Sequence, residues 1–164
     1  MVERVAVSGG IPTFKLQPAD DLHLPCILKM LREANLPIEG VEENLSQFLV
    51  GTTLPRVVAC VGLEVYGRDA LLRSLVVASS LRGRGYGEMM VEGALRDAAE
   101  REVERVYLLA PGTERFFGRF GFQAVPRREA PAAIAGSTEF RADACANATL
   151  MCLTPVVPPP IRRG

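Results

Sequence analysis

The feature that most constrains this fold is an apolar segment that runs into three alternating glycines and then into a long amphipathic stretch. Residues 70–78 read ALLRSLVVA, which predicts a strand, and residues 82–87 read RGRGYG. Residues 86–102 have apolar side chains at helical spacing. Glycine lacks a Cβ, and the first amides of a helix have no intrahelical partner, so this loop can hold an anion. A phosphate cradle is therefore predicted, to which Arg82 and Arg84 add charge.

The glycine spacing separates this loop from two common phosphate-binding motifs. No Gly-Lys-Ser/Thr follows, as a Walker loop requires, and Gly-x-Gly-x-Gly differs from the dinucleotide pattern Gly-x-Gly-x-x-Gly. A flexible glycine turn is the structural alternative. The three glycines, the two arginines and the strand-then-helix frame favour a binding loop over that turn. Another nucleotide-binding domain using the same loop is the weaker alternative, because the fixed lysine and an acidic partner for the ribose are absent.

The segment from Leu75-Val76-Val77 through Arg82 to Gly87 resembles the Arg/Gln-x-x-Gly-x-Gly/Ala signature of the GNAT N-acetyltransferases. That resemblance implies acetyl-CoA as cosubstrate, with its pyrophosphate on the amides of residues 83–87 and its pantetheine along Val76 and Val77. It also implies an acyltransferase, with no metal. The implied cofactor-binding residues are Leu75, Val76, Val77, Arg82, Gly83, Arg84, Gly85, Tyr86, Gly87, Phe116 and Phe117.

The order of the predicted elements is similar to the whole GNAT fold from residue 14 to residue 153. It runs as one strand, two helices, three strands, a helix, a strand, a helix and two strands. The implied class is α/β (α+β), a mixed and mostly antiparallel seven-stranded sheet flanked by helices and splayed between its fourth and fifth strands. The second of the two early helices is expected to follow Gly40, with Val41, Leu45 and Phe48 on one side.

Composition fits one domain of this kind. The 164 residues are 48% hydrophobic, and 19 basic residues balance 19 acidic ones, which argues against nucleic acid as a partner. No apolar run reaches the length of a membrane span, no signal peptide is recognised, and the four cysteines lack metal-ligand spacing. A cytoplasmic protein with reduced, buried thiols is predicted. We expect a loose arm over residues 1–13, the domain over 14–154 and a disordered proline-rich tail over 155–164.

A predicted hairpin brings two charged residues together. The segment 67–70 reads as a turn between the strands 56–66 and 70–78, and if Tyr66 faces Leu71, then Glu64 faces Arg73. A cross-strand ion pair is the structural interpretation of this pairing. The functional one, which we favour because both strands look buried, places both groups in the substrate cleft. Glu64 is then the candidate base and Arg73 the candidate clamp for an acceptor carboxylate.

The segment Phe116-Phe117-Gly118-Arg119-Phe120-Gly121-Phe122 resembles the Phe-Tyr-x-x-x-Gly-Phe stretch of the family, beside which the thiol end of CoA usually lies. Many relatives carry a tyrosine at the position of Phe117, where it is the usual acid for the leaving thiolate. A thiolate leaves with little help near neutral pH, so this departure weakens the acid assignment more than the enzyme assignment. It also favours the alternative function, a non-catalytic acetyl-CoA sensor or interaction module.

A narrower resemblance concerns the acceptor. Residues 35–42, 62–67, 71–74 and 137–140 with Cys145 are similar to the small acetyltransferases of arsenic-resistance operons, and through them to single-domain amino-acid N-acetyltransferases. This implies a small amino-acid acceptor, extending to a glutamate-like organoarsenical such as arsinothricin. A homodimer is also implied, because relatives often dimerise. His23, the single histidine, is expected at the surface without a partner.

Overall fold

The computed structural model describes residues 3–4, 13–158 and 160, and its strands form one sheet. The strands are β1 (Glu3–Arg4), β2 (Phe14–Pro18), β3 (Phe48–Thr53), β4 (Arg56–Tyr66), β5 (Asp69–Val77), β6 (Arg105–Ala110), β7 (Gln123–Ala124) and β8 (Thr149–Leu153). The helices are α1 (Leu24–Glu33), α2 (Tyr86–Glu100), α3 (Glu114–Gly118), α4 (Ala132–Ala135) and α5 (Thr138–Arg141). The sheet order is β1-β2-β3-β4-β5-β6-β8-β7.

The seven predicted strands are present as β2 to β8, and β1 is an additional one. β1 lies within the predicted loose arm, whose other residues, apart from residue 13, fall outside the described part of the chain. Of the predicted tail, residues 155–158 and 160 are described, and Val156 packs against the largest apolar cluster. The remaining residues of the tail lie outside the described residues.

The predicted splay between the fourth and fifth predicted strands, which are β5 and β6 in the structure, is confirmed. The two strands are the parallel pair of this sheet, and they pair only from Asp69–Leu71 against Arg105–Tyr107. β5 continues to Val77 and β6 to Ala110, so their main chains separate over the remaining residues. The wedge between them opens the edge of β5 to a ligand.

Apolar side chains cover both faces of the sheet. Helix α2 packs its apolar stripe, including Met90, Val91 and Ala94, into the cluster on one face. On the other face, Ile27 and Leu31 of α1 join a second cluster, while Ile134 of α4 joins a third. Nowhere in the described ranges is there a helix long and apolar enough to cross a membrane.

The prediction of a second helix between α1 and β3 is wrong. Turns occupy residues 39–44, and only a short 3₁₀ helix follows at Leu45–Gln47. The main-chain hydrogen bonds here are mostly of the i→i+3 type, such as Val41 to Ile38 and Leu45 to Glu42, so no run of α-helical bonds forms before β3 begins at Phe48. Val41, Leu45 and Phe48 are nevertheless buried together, so the pattern predicted the buried side chains correctly and the backbone wrongly.

The predicted hairpin register is also wrong, by two residues. Tyr66 pairs with Asp69 and Glu64 with Leu71, because the connection is a two-residue turn at residues 67 and 68. Arg73 lies opposite Gly62, which precedes Glu64 by two residues. Since side chains alternate between faces with period two, Glu64 and Arg73 still share one face as diagonal neighbours.

Candidate active site

A cleft of about 530 Å³ opens where β5 and β6 separate, and it reaches the first turn of α2. Apolar side chains and glycines form most of its wall, with Arg82, Glu88 and Arg119 at its polar parts. The lining residues are Ala34, Leu36, Leu75, Val76, Val77, Leu81, Arg82, Gly83, Gly85, Tyr86, Gly87, Glu88, Thr113, Phe116 and Arg119. Nine of the eleven predicted cofactor-binding residues are therefore in the wall, and Arg84 and Phe117 are not.

The glycine loop has the conformation that an anion cradle needs. Gly83 and Gly85 have φ values of +77° and +83°, and Gly85 is the N-cap of α2. A Cβ added at either glycine would meet no atom of the described chain within 4 Å, so the space beside them is open. The first amides of α2 border this space with the positive end of the helix dipole. A pyrophosphate fits this geometry because its oxygens accept hydrogen bonds from such amides.

The two loop arginines differ in position. Arg82 lines the cleft, and its Nε donates to the carbonyl oxygen of Val77 at 3.1 Å, which ties the loop to the end of β5. Arg84 is exposed and lies outside the cleft wall. The loop therefore has one arginine that shapes the cleft and one that contributes only charge at longer range.

The edge of β5 offers main-chain groups to the cleft. The amide of Ala78 donates to the carbonyl of Val58 on β4, so Ala78 and Val76 direct their polar groups towards β4. The main-chain amide and carbonyl groups of successive residues point to opposite edges of a strand. Val77 and Leu75 therefore direct their amide and carbonyl groups into the wedge. The resemblance implied pantetheine along Val76 and Val77, and of these two it is Val77, together with Leu75, whose main chain faces the cleft.

The two phenylalanines of α3 separate in the structure. Phe116 lines the cleft, and the guanidinium of Arg119 lies over its ring at 5.1 Å from the centroid. Phe117 is 7% exposed and packs edge-on against Phe122, at 6.0 Å between ring centroids. The five residues of α3 turn the two side chains in different directions, so Phe117 belongs to the core.

A buried charged cluster lies upstream on β5. Arg73 and Glu64 are each 1% exposed, and Arg73 Nη1 donates to Glu64 Oε2 at 2.9 Å. Arg73 Nε also donates to Ser74 Oγ at 3.0 Å. The hydroxyl of Tyr66 donates to Glu64 Oε1 at 2.6 Å. Burial and this bond to a carboxylate raise the pKa of Tyr66, so it stays a donor. Both oxygens of Glu64 are therefore occupied.

Two loops distant in sequence meet over the Arg73 guanidinium. Arg73 Nη2 donates to the carbonyl of Glu39 at 2.7 Å, and Nη1 donates to Thr138 Oγ1 at 3.3 Å. Thr138 Oγ1 donates to the same carbonyl at 3.2 Å. A Cβ on Gly40 would come within 2.3 Å of Thr138 Oγ1, so the approach requires glycine. We call this junction of Glu39, Gly40, Arg73 and Thr138 the clasp.

Glu139 is a member of the cluster that sequence analysis assigned no role. It is 6% exposed, and in the described part of the chain its Oε2 has no hydrogen-bond partner. Burial raises its pKa to about 7, although the Arg73 charge and a bond from the Ser74 amide act in the opposite direction. The sequence signal for Glu139 was an acidic residue two positions after Ser137, the residue that caps α5. The Oγ of Ser137 accepts a hydrogen bond from the amide of Phe140.

Ser74 joins the cluster to the cleft. Its φ of +59° is left-handed and unusual for serine, and the adjacent Leu75 already lines the cleft. Three groups of Ser74 have partners in or beside the cluster. Its carbonyl accepts a hydrogen bond from Cys60 Sγ at 3.3 Å, its amide donates to the Glu139 carboxylate, and its hydroxyl accepts from Arg73. Strained residues of this kind cluster at functional sites.

The histidine and the four cysteines differ in burial and in their contacts with the site. His23, just before α1, is partly buried. It also has a partner, contrary to expectation, because its Nδ1 accepts a hydrogen bond from the amide of Asp20 at 3.0 Å. Cys60 and Cys145 are buried and Cys152 partly so, while Cys26 is exposed, so the expectation of buried thiols is wrong for Cys26. Burial raises the pKa of Cys60 to about 12 and that of Cys145 to about 11. Among the described residues, no group of histidine, cysteine and acidic side chains has metal-binding geometry.

Residues 44–124 are similar to a known family of domains. They match the family model described as an acetyltransferase (GNAT) domain. An uncharacterized N-acetyltransferase of Chlorobaculum tepidum is 29% identical over 95 residues, which cover 57% of this chain and 61% of that protein. The chain therefore aligns with about three fifths of this relative.

Solved structures share the fold at low identity. The N-acetylglutamate synthase of Neisseria gonorrhoeae, solved with coenzyme A and N-acetyl-glutamate, superposes with a TM-score of 0.76 at 19% identity, over 88% of this chain and 35% of that one. A Mycobacterium tuberculosis protein solved with CoA and NLQ gives a TM-score of 0.70 at 20% identity, over 85% and 98%. These likenesses and the family match confirm the predicted fold.

Proposed function

This chain contains an acetyltransferase domain of GNAT fold, and on that premise we propose that it transfers acetyl from acetyl-CoA to the amino group of a small amino-acid-like acceptor. One observation carries the proposal: the open cradle of Gly83 and Gly85 leads directly into the cleft beside β5. The pyrophosphate would lie on the amides that open α2, and the pantetheine along Leu75 to Val77. The thioester would then reach the wedge between β5 and β6.

The chemistry we propose is direct transfer. Holding the amine against the thioester supplies most of the rate, because it turns a bimolecular step into a unimolecular one. The main-chain amides of Val77 and Leu75 face the wedge, where they stabilise the negative charge that develops on the carbonyl oxygen. The leaving thiolate needs little acid help near neutral pH, so the burial of Phe117 is compatible with turnover.

The acceptor side is the buried cluster and the clasp above it. The predicted role of Arg73 as clamp for an acceptor carboxylate remains part of this proposal, and it requires the clasp to open, since Arg73 already donates four hydrogen bonds. Glu64 holds one side of the guanidinium and so orients it. The Neisseria synthase was solved with N-acetyl-glutamate, which supports an amino-acid acceptor here.

A glutamate-like organoarsenical is the more specific acceptor that the sequence resemblance implies, and a homodimer in the cytoplasm is the implied setting. These points stay predictions. An acetylation assay with arsinothricin and glutamate side by side tests the first of them. Turnover of glutamate without turnover of arsinothricin would remove the arsenical from the proposal.

Two measurements test the proposed function. Calorimetry should detect binding of coenzyme A, and release of its free thiol from acetyl-CoA should depend on an added amino acid. Binding without thiol release on any amine of a broad panel would instead support the sensor. Absence of binding would overturn the cradle assignment and the function with it.

A further inference from the structure

The buried cluster contains two carboxylates, and only one has a vacant oxygen. Both oxygens of Glu64 accept hydrogen bonds, from Tyr66 and from Arg73. Oε2 of Glu139 accepts none from any residue that the structure describes, although Glu139 is 6% exposed. Each Glu64 oxygen therefore uses one of its two lone pairs on a hydrogen bond, whereas both lone pairs of Glu139 Oε2 are open to a proton. We propose that Glu139, and not Glu64, takes the proton from the ammonium of the acceptor.

The proposal rests on the acetyltransferase function and on where Glu139 lies relative to the cleft. The Ser74 amide bonds its carboxylate, and the next residue, Leu75, is already in the cleft wall. Glu64 is on β4, which is separated from the wedge by β5. Glu139 is therefore the carboxylate beside the part of β5 that borders the cleft. It lies outside the cleft wall itself, so the acceptor would reach it only when the clasp at its neighbour Thr138 opens.

The surroundings of Glu139 match the task. From β5 the Arg73 charge and the Ser74 amide favour its ionised form, and from β4 the Glu64 charge opposes it. Tyr66 and Cys145 also face it, and both stay protonated because burial raises the pKa of each. Burial is the largest effect on Glu139 itself, and it raises the pKa of this carboxyl group to about 7. A general base works best when its pKa is near the operating pH.

The step balances without another reactant. An N–H bond of the acceptor ammonium breaks, and the proton goes to Glu139 Oε2. The freed nitrogen lone pair forms the bond to the thioester carbon, and the C–S bond breaks. The second nitrogen proton goes to the departing thiolate, and Glu139 returns its proton to solvent. The products are the N-acetyl acceptor, the CoA thiol and one proton.

The test is a pH profile of kcat/KM for the acceptor, measured by thiol release with an amino acid that the wild-type chain accepts. The wild type should show an inflection near pH 7. Glu139→Gln keeps the shape of the side chain and should lower kcat/KM about 100-fold at pH 7, the lower end for a general base. Its inflection should vanish and its deficit should shrink at higher pH, where solvent supplies more free amine.

Three further variants separate catalysis from structure. Glu139→Asp keeps a carboxylate and should retain the inflection at a reduced rate, while Glu64→Gln should retain it as well. Glu129→Gln, on an exposed turn of the same segment, should behave as wild type. Calorimetry with coenzyme A should give Glu139→Gln the wild-type affinity, which shows that the variant is folded.

Two results would overturn the proposal. One is a Glu139→Gln profile that keeps the wild-type inflection, and the other is loss of the inflection in Glu64→Gln alone. Failure of the proposed function looks different, because the wild-type chain itself would then release no thiol with any amine.

Discussion

The two halves of β5, which we propose as the coenzyme half and the acceptor half of the site, present opposite kinds of groups. Beyond Ser74, the strand faces an open cleft with main-chain groups, and the glycine loop at its end also works through amides. Before Ser74, the same strand places the buried Arg73 among charged side chains and a carbonyl from another loop. The coenzyme half is thus insensitive to most side chains, whereas the acceptor half depends on nearly every one.

This difference assigns separate tasks to the two halves. A main-chain cradle recognises a ligand part that does not vary, such as a pyrophosphate. A cluster of side chains in a low-dielectric interior is sensitive to each charge and can discriminate among acceptors. Each of the four predictions below changes one half, and the two glycine variants also ask whether the other half responds.

Arg73→Ala should have the largest effect. It leaves Glu64 and Glu139 buried without their cation, and breaking a buried ion pair typically costs about 3–5 kcal/mol. Urea unfolding should show this loss, together with loss of acetylation. Arg68→Ala, which removes an exposed arginine paired with Glu104, should change stability little. Equal losses in the two variants would contradict the buried cluster.

Glu139→Gln should change how stability depends on pH. Folding raises the pKa of Glu139 from about 4.5 to about 7, so the native state holds a proton that the unfolded chain has released. Wild-type stability should therefore fall as pH rises from 4.5 to 7. The variant lacks this loss, so its stability relative to wild type should improve by about 1–3 kcal/mol over that interval. Denaturant titrations at pH 5 and pH 8 measure it, and a constant difference would contradict the raised pKa.

Gly40→Ala should open the clasp. The new Cβ would clash with Thr138 Oγ1 at 2.3 Å and would also sit at a left-handed φ. Gly67→Ala is the matched control, because Gly67 has a φ of +64° and its Cβ would meet nothing within 4 Å in the described structure. The first variant should be less stable than the second by about 1–2 kcal/mol. It should also change the KM for the acceptor and leave the KM for acetyl-CoA unchanged.

Gly87→Ala should affect the coenzyme half alone. The added Cβ would enter the cleft wall at 3.7 Å from Phe116 and 3.8 Å from Val77, without a clash. Alanine favours a helix over glycine by about 0.5–1 kcal/mol, so stability should hold or rise. We expect the KM for acetyl-CoA to rise about tenfold, or 1.4 kcal/mol, with an unchanged KM for the acceptor. Gly118→Ala, at the end of α3 with open space around it, is the control.

The sequence predicted the strand, loop and helix of the proposed coenzyme half correctly because their signals are local. A strand, a glycine loop and a helix follow one another within residues 70–102, and each has its own periodicity. The contact of Glu64 with Arg73 was also correct, since a two-residue error in register preserves the face. The role of Arg73 as a clamp remains a proposal, and our proposal gives Glu139 the base role that the sequence had suggested for Glu64.

The acceptor half was mostly missed because its contacts join distant segments. Thr138 and the Glu39 carbonyl are 99 positions apart, and Arg73 reaches that carbonyl over 34 positions. No local pattern places Glu139 beside Arg73, since the placement depends on how residues 127–148 pack over the sheet. Phe117 was misplaced for a related reason, because the five-residue α3 gives too little periodicity to separate cleft from core.

The two-residue turn at positions 67 and 68 has a consequence for how this enzyme type can diverge. Insertion of one residue there would rotate every later β5 side chain to the opposite face and pull the arginine away from its carboxylate partners. Insertion of two would keep the arrangement intact. Genes descended from a common ancestor with this chain should therefore vary the hairpin length in even steps, and an odd change should coincide with replacement of the charged pair.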